Sequence, residues 1–387
     1  MRLPARLLCL AALLVPAPAL AIPIQPIQGP QVLGPVAPGS PIEETIWRLK
    51  VDDHDWDAIA IHCYAGPDAP AATLLYLPGT NMNGAAALKD EAHNLWISLA
   101  AHGIRVCAMD YRTHNIPPER EIGTLTALKD WTTEAFVRDV GDAVVMAGKG
   151  QSKIFLAGFS RGASLAYAYA AKRPGEIAGL IILDGSFKSA TPKPFDADAA
   201  LAELETGGKW ASDVGGRRGW VARQMMMEAA ATNPDGPATD PAYKTAGEQL
   251  AAVVQKSWGP GGLANPEGGI SKPQVLATLM RDYDRYYPAI QDIEGKRIAA
   301  QTDDPTTKLD DGWGEMTVPI LAFTSTGMGA DWQANVRYSA EASGSKDVTV
   351  NVLQDYGHLD VLVAEDAPRA VYEPIRAWVI AHSGAGK

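Results

Sequence analysis

Cysteine is scarce in this chain: 387 residues contain three, Cys9, Cys63 and Cys107. That excludes a small fold stapled by disulfides, and their spacing suggests no metal site. No staple is needed, because a chain of this length can bury roughly three quarters of its unfolded surface. Positive charge is also short, with 34 Lys and Arg against 45 Asp and Glu and a formal net charge of −11. Such a balance gives no attraction to nucleic acid or to an anionic membrane, and neither is expected as a partner. The apolar run at residues 7–15 is too short to span a bilayer, so no stable membrane anchor is expected. No internal repeat is found.

That short run has its own grammar. Arg2 and Arg6 precede it and the small-residue site Ala19-Leu20-Ala21 follows, as in a secretory signal peptide. The expected processing removes residues 1–21, leaves Ile22 first and delivers the protein to the periplasm or the medium. Cys9 lies inside the run behind Leu8, which does not suit a lipid anchor. In residues 22–42, Pro23, Pro26, Pro30, Pro35, Pro38 and Pro41 predict an extended, poorly ordered linker. The folded body is expected from residue 43.

The strongest chemical signal is at residues 153–174, KIFLAGFSRGASLAYAYAAKRP. Ile154, Phe155 and Leu156 make a short buried strand, and the small residues after Arg161 make a helix able to pack closely on a sheet. Lys172 and Arg173 suit the negative end of that helix, and Pro174-Gly175 stops it. Between strand and helix stands Gly158-Phe159-Ser160-Arg161-Gly162, a G-x-S-x-G corner. The two glycines remove side chains that would collide where the backbone doubles back, which leaves the Ser160 hydroxyl exposed as a nucleophile.

With this pentapeptide in its strand–turn–helix context, the chain resembles the α/β-hydrolase superfamily, and within it the serine carboxylesterases and lipases. The resemblance implies an α/β fold with a mostly parallel eight-stranded sheet, helices on both faces and a chain order of Ser, acid, His. It covers most of residues 43–186 and 317–381. It implies no cofactor and no metal.

Residues 73–77 form a buried apolar strand that runs into Pro78-Gly79-Thr80-Asn81-Met82-Asn83-Gly84. This is similar to the loop after the third strand of the family, without the H-G-G-G form found in some esterases. By that resemblance, the backbone amides of Thr80 and Arg161 are the oxyanion-hole donors, each worth on the order of 3 kcal/mol of barrier. Asp110 and His114, at the end of the next strand, precede Ser160 and so stand in the wrong order for the family.

Two carboxylates compete for the acid. Asp184 ends the buried strand at residues 179–183, a position some relatives use. Asp331 lies in the loop after the strand at residues 318–324, the position most relatives use, and is the better placed. For the base, only His358 and His382 lie downstream of both. His382 is in a Gly/Ala/Ser tail, whereas His358 stands in Gly357-His358-Leu359-Asp360 before the last helix, as in the family's C-terminal signature. The expected site is therefore Ser160, Asp331 and His358, with Asp360 giving support at most.

The family strand order makes the strands of Cys63 and Cys107 neighbours. A cross-strand disulfide is possible there, although two buried free thiols are the preferred reading because register cannot be seen from sequence. Asp52, Asp53, Asp55 and Asp57 lack the glycine and distal glutamate of a calcium loop and read as a solvated turn. Residues 187–316 are expected to be a helical cap or lid, with helices near 197–205, 220–231, 242–258 and 273–293 between Gly/Pro-rich breaks. Core residues would then be 43–186 and 317–387. The expected reaction is hydrolysis of a small-molecule or lipid-like ester, with amide hydrolysis or an inactive binding protein as alternatives.

Overall fold

The computed structural model describes residues 26–54, 56–148, 153–212, 216–257, 270–300 and 308–384. The expected signal peptide and the Gly/Pro-rich stretch at 259–269 lie outside the described residues. In chain order the strands are β1 (Pro26–Pro35), β2 (Glu43–Lys50), β3 (Ala58–Ala65), β4 (Ala72–Leu77), β5 (Ile104–Asp110), β6 (Ile154–Phe159) and β7 (Ile177–Leu183). They continue with β8 (Ala211–Ser212), β9 (Tyr287–Pro288), β10 (Ile320–Ser325) and β11 (Val348–Leu353). The helices are α1 (Leu95–Ala101), α2 (Thr133–Gly148), α3 (Arg161–Lys172), α4 (Ala197–Gly207), α5 (Gly216–Thr232) and α6 (Ala246–Ser257). After them come α7 (Pro273–Arg281), α8 (Ala289–Ala299), α9 (Ala330–Glu341), α10 (Asp360–Val363) and α11 (Glu373–His382).

Among the described residues, nine strands make one sheet in the order β1-β2-β3-β5-β4-β6-β7-β10-β11. From β5 to β11 neighbouring strands are parallel, while β1, β2 and β3 are added antiparallel at one edge. The central strands are buried at nearly every position because both faces are covered, and alternate residues serve opposite layers. Leu74 and Tyr76 of β4 enter the core shared with α1, α11 and the inserted helices; Leu75 and Leu77 enter the core shared with α2, α3 and α9. Ile181 and Leu183 against Leu180 and Ile182 repeat the alternation in β7. Strand ends are thereby fixed, and the loops after β4, β6, β7 and β11 gather at one rim.

Two expectations need correction here. The sheet has nine strands, not eight, because residues 26–35, expected as linker, pair antiparallel with β2. Prolines are tolerated there because β1 is an edge strand with an interrupted register. Cys63 and Cys107 are bonded as a disulfide, not free. The antiparallel register of β3 and β5 sets these two residues directly opposite one another.

Candidate active site

Strand β6 delivers Ser160 into a sharp turn with φ 53° and ψ −118°, a left-handed conformation rare for a residue with a side chain. Close backbone approach makes the flanking glycines necessary. A Cβ on Gly158 would lie 2.3 Å from the Gly162 carbonyl oxygen, and one on Gly162 would lie 2.0 Å from that of Leu77. The Ser160 amide donates to the Leu183 carbonyl at 3.1 Å, which ties the turn to the end of β7. Helix α3 begins at Arg161, so the Arg161 amide is among the N–H groups that no helical carbonyl can reach.

His358 stands in the loop between β11 and α10 and is buried, at 4% exposure. Its ring packs 4.6 Å from that of Phe159, the residue before Ser160, and meets Trp332 edge-on at 5.5 Å. Asp360 fixes this loop by accepting the Gly357 amide at 2.6 Å, and it also accepts the amides of Ile270 and Ser271 from the insertion. Support is thus what Asp360 supplies, through the loop backbone.

The imidazole partner is Asp184 and not Asp331. His358 Nδ1 lies 2.7 Å from Asp184 Oδ2. Asp184 is fully buried at the end of β7, where φ is 45°. Its carboxylate also accepts the Ser325 amide at 2.8 Å, the Ser325 hydroxyl at 2.7 Å and the Trp332 indole N–H at 3.0 Å. Asp331 is an exposed residue in the first turn of α9, beside a separate cavity lined by Ser189, Phe195, Lys296 and Asn335. The adjacent residue, Trp332, is the one that turns toward the imidazole.

Ser160, His358 and Thr80 line one cavity of about 220 Å³ with Met82, Phe159, Met328 and Trp332. Thr80 follows the Pro78-Gly79 turn. Asn81 behind it has φ 62°, and the Met82 amide closes the turn on the Gly79 carbonyl at 3.1 Å. The Tyr111 hydroxyl donates to the Pro78 carbonyl at 2.9 Å. Four of the expected site residues therefore share this rim, Arg161 as the residue next to Ser160, and Asp331 does not.

Sequence reasoning missed the contribution of residues 282–292, between and into the last helices of the insertion. The Arg161 guanidinium donates to the Tyr287 hydroxyl at 2.9 Å, to the Gln291 carbonyl, and to Asp292 Oδ1 at 3.1 Å. Burial alone would lower its pKa, but the Tyr287 hydroxyl that accepts from it and the Asp292 carboxylate raise it. At the other end, the Asp284 amide donates to the Asn81 carbonyl at 2.7 Å, and Asn81 Nδ2 donates to the Asp284 carbonyl at 3.0 Å. The signal available in sequence was Pro288, which cannot lie inside one helix from 273 to 293.

Comparison with known proteins now bears on this rim. A family profile described as the alpha/beta hydrolase fold matches residues 73–365. Among solved structures, a candidate lipase from Sulfolobus solfataricus superposes with a TM-score of 0.71 at 23% identity, covering 91% of this chain and 99% of that one. A monoacylglycerol lipase from Paleococcus ferrophilus gives a TM-score of 0.50 at 15% identity, covering 83% of this chain and 98% of that one. No curated protein matches by sequence.

Proposed function

Because the chain belongs to the alpha/beta hydrolase fold family, we propose that it is an exported serine hydrolase cleaving carboxylic esters through Ser160, His358 and Asp184. One observation carries the reading: the His358 imidazole is held by a buried carboxylate in the same cavity that Ser160 lines. In this mechanism His358 Nε2 takes the Ser160 proton as the hydroxyl oxygen attacks the substrate carbonyl. Asp184 keeps the other nitrogen, Nδ1, as the donor. The amides of Thr80 and Arg161 face the oxygen that becomes negative. His358 then passes the proton to the departing alcohol, and water repeats the cycle on the acyl-enzyme.

Ester hydrolysis is favoured over peptide hydrolysis by the cavity lining. Met82, Phe159, Met328 and Trp332 surround the reacting groups, and among the described residues no acidic or strongly basic side chain lines the cavity to anchor a peptide terminus. The likeness to structures titled as lipases supports the same class. The inserted helices are proposed to act as a cap over the site.

A fluorophosphonate probe is expected to label the protein, and Ser160→Ala is expected to abolish labelling while leaving the fold intact. Absence of labelling on folded wild-type protein would favour a binding role. Faster cleavage of aminoacyl anilides than of p-nitrophenyl esters would move the assignment to a peptidase. Export is tested separately: intact mass of protein recovered from outside the cytoplasm should begin at Ile22 and show no titratable thiol under denaturing conditions. Retention of Met1 would refute export.

A further inference from the structure

Behind the loop that carries Thr80, five titratable side chains alternate in sign. Glu44 on β2 approaches His62 Nδ1 at 2.6 Å, and His62 Nε2 lies 3.0 Å from Asp110 Oδ2. Asp110 is next to His114 Nε2 at 3.8 Å, and His114 Nδ1 meets Asp284 Oδ1 at 2.8 Å. Both nitrogens of His62 thus lie within hydrogen-bond distance of carboxylate oxygens and His114 has one such contact and one longer charge contact, an arrangement that favours the protonated, cationic form of each ring. Tyr64 on β3 donates to Glu44 at 3.2 Å and to the Gly84 carbonyl at 2.9 Å, and Lys89 adds positive charge near Glu44.

This chain of charges is attached to the loop at several points. Asp110 Oδ1 accepts the Gly84 amide at 2.6 Å, and the Ala86 amide donates to the Tyr64 hydroxyl at 3.0 Å. Asn83 Nδ2 donates to the Asp282 carbonyl at 2.7 Å and to Asp284 Oδ1 at 3.3 Å. The paired bonds between Asn81 and Asp284 hold Asn81 at its left-handed φ of 62°, one residue beyond Thr80. A non-glycine residue persists in such a conformation only where its surroundings over-determine it. Three residues beyond Asp284, Tyr287 accepts from the side chain of Arg161, so one segment of the insertion reaches Arg161 and the residue next to Thr80.

We infer that Asp284 is a positioning residue for ester hydrolysis: anchored through His114, Asp110 and His62 to Glu44, it clamps Asn81 and so sets the direction of the Thr80 amide. The inference rests on the serine-hydrolase reading, and it adds a cause for the geometry of the hole that lies outside the catalytic triad. The insertion then does more than cover the site, because its residues 282–292 complete it. The carboxylate of Asp284 is engaged by His114 and Asn83 while its backbone is engaged by Asn81, so the side chain fixes where the backbone clamp stands.

The test compares wild type with Asp284→Asn and His114→Gln, measuring kcat and KM on p-nitrophenyl butyrate from pH 6 to 10, with melting temperature and fluorophosphonate labelling of Ser160 in parallel. His114 is partly exposed, so its variant is expected to fold even where the first does not. Loss of aim in one donor is expected to lower kcat by about 10- to 100-fold with KM changed by less than about threefold. In Asp284→Asn the alkaline limb of kcat should move to lower pH, because His114 loses a neighbouring negative charge; in His114→Gln it should move to higher pH, because His62 loses a neighbouring positive one. Unchanged kcat and an unmoved alkaline limb in both variants would overturn the positioning role while leaving the hydrolase reading intact. A fall in kcat that merely tracks loss of folded protein would overturn it too. Failure of the wild type itself to hydrolyse esters or react with the probe would instead overturn the hydrolase reading, and this inference with it.

Discussion

Asp184 is held so that its orientation has almost no freedom: Ser325 contributes two donors, Trp332 one and His358 one. Asparagine in its place would turn an NH2 group toward some of those donors and misdirect the imidazole. Asp184→Asn is therefore expected to lower kcat by about 10³- to 10⁴-fold with little change in KM, the size seen when a triad acid is replaced by its amide. Asp331→Asn should leave turnover within about twofold, because surface substitutions away from a site rarely matter. Steady-state kinetics of the two variants decide the assignment, and the reverse pattern would restore Asp331. At this scale the sequence contained Ser160 and His358 plainly, since a G-x-S-x-G corner and a terminal G-H-L-D each carry local context. The carboxylate that partners His358 was less legible because either strand end could reach the imidazole. Gly185 was an unused clue: a Cβ there would lie 2.5 Å from the Ser160 carbonyl oxygen, which puts the end of β7 against the elbow.

At the scale of elements, the readable parts were those whose pattern is local. Strands β4, β7 and β10 are short runs of branched and aromatic residues, each expected within a residue or two of its observed span, while β6, expected at residues 154–156, runs on to Phe159. Helix α2, expected at 132–147, is observed at Thr133–Gly148. What escaped notice depends on a partner distant in sequence. Proline density made 22–42 resemble a free arm, yet β2 offers residues 26–35 an open edge to pair with. Register between β3 and β5 decides the fate of Cys63 and Cys107, and register is a tertiary property. The same holds for residues 282–288. An apolar period runs through residues 273–293, but Tyr287-Pro288 pairs with Ala211-Ser212 as the short β8–β9 sheet, and this splits the expected helix into α7 and α8. That break frees Asp284 to meet Asn81 and Tyr287 to meet Arg161.

For the whole molecule, the charge chain behind the loop that carries Thr80 links folding to pH. Burial alone would lower the pKa of His62, but Asp110 and Glu44 on either side outweigh it and push it up to about 9. His114 is likewise raised to about 9, with burial opposed chiefly by Asp284 and Asp110. A histidine whose folded pKa lies above its unfolded value of 6.5 binds its proton more tightly in the native state. Its contribution is complete below pH 6.5 and is lost as pH rises through about 9. Asp110 and Glu44 act in the opposite direction. Burial would raise them, the charge and hydrogen bonds of His62 lower them, and their stabilisation is present above their ordinary values and lost as pH falls. The buried His62 should contribute on the order of a few kcal/mol, at about 1.4 kcal/mol per pKa unit, and the more exposed His114 less because solvent screens it. Urea midpoints are thus expected to fall steadily between pH 6.5 and 9, and His62→Gln should start lower and decline less than half as steeply. Equal slopes in the variant and the wild type would show that these imidazoles are not the groups whose protons the fold retains.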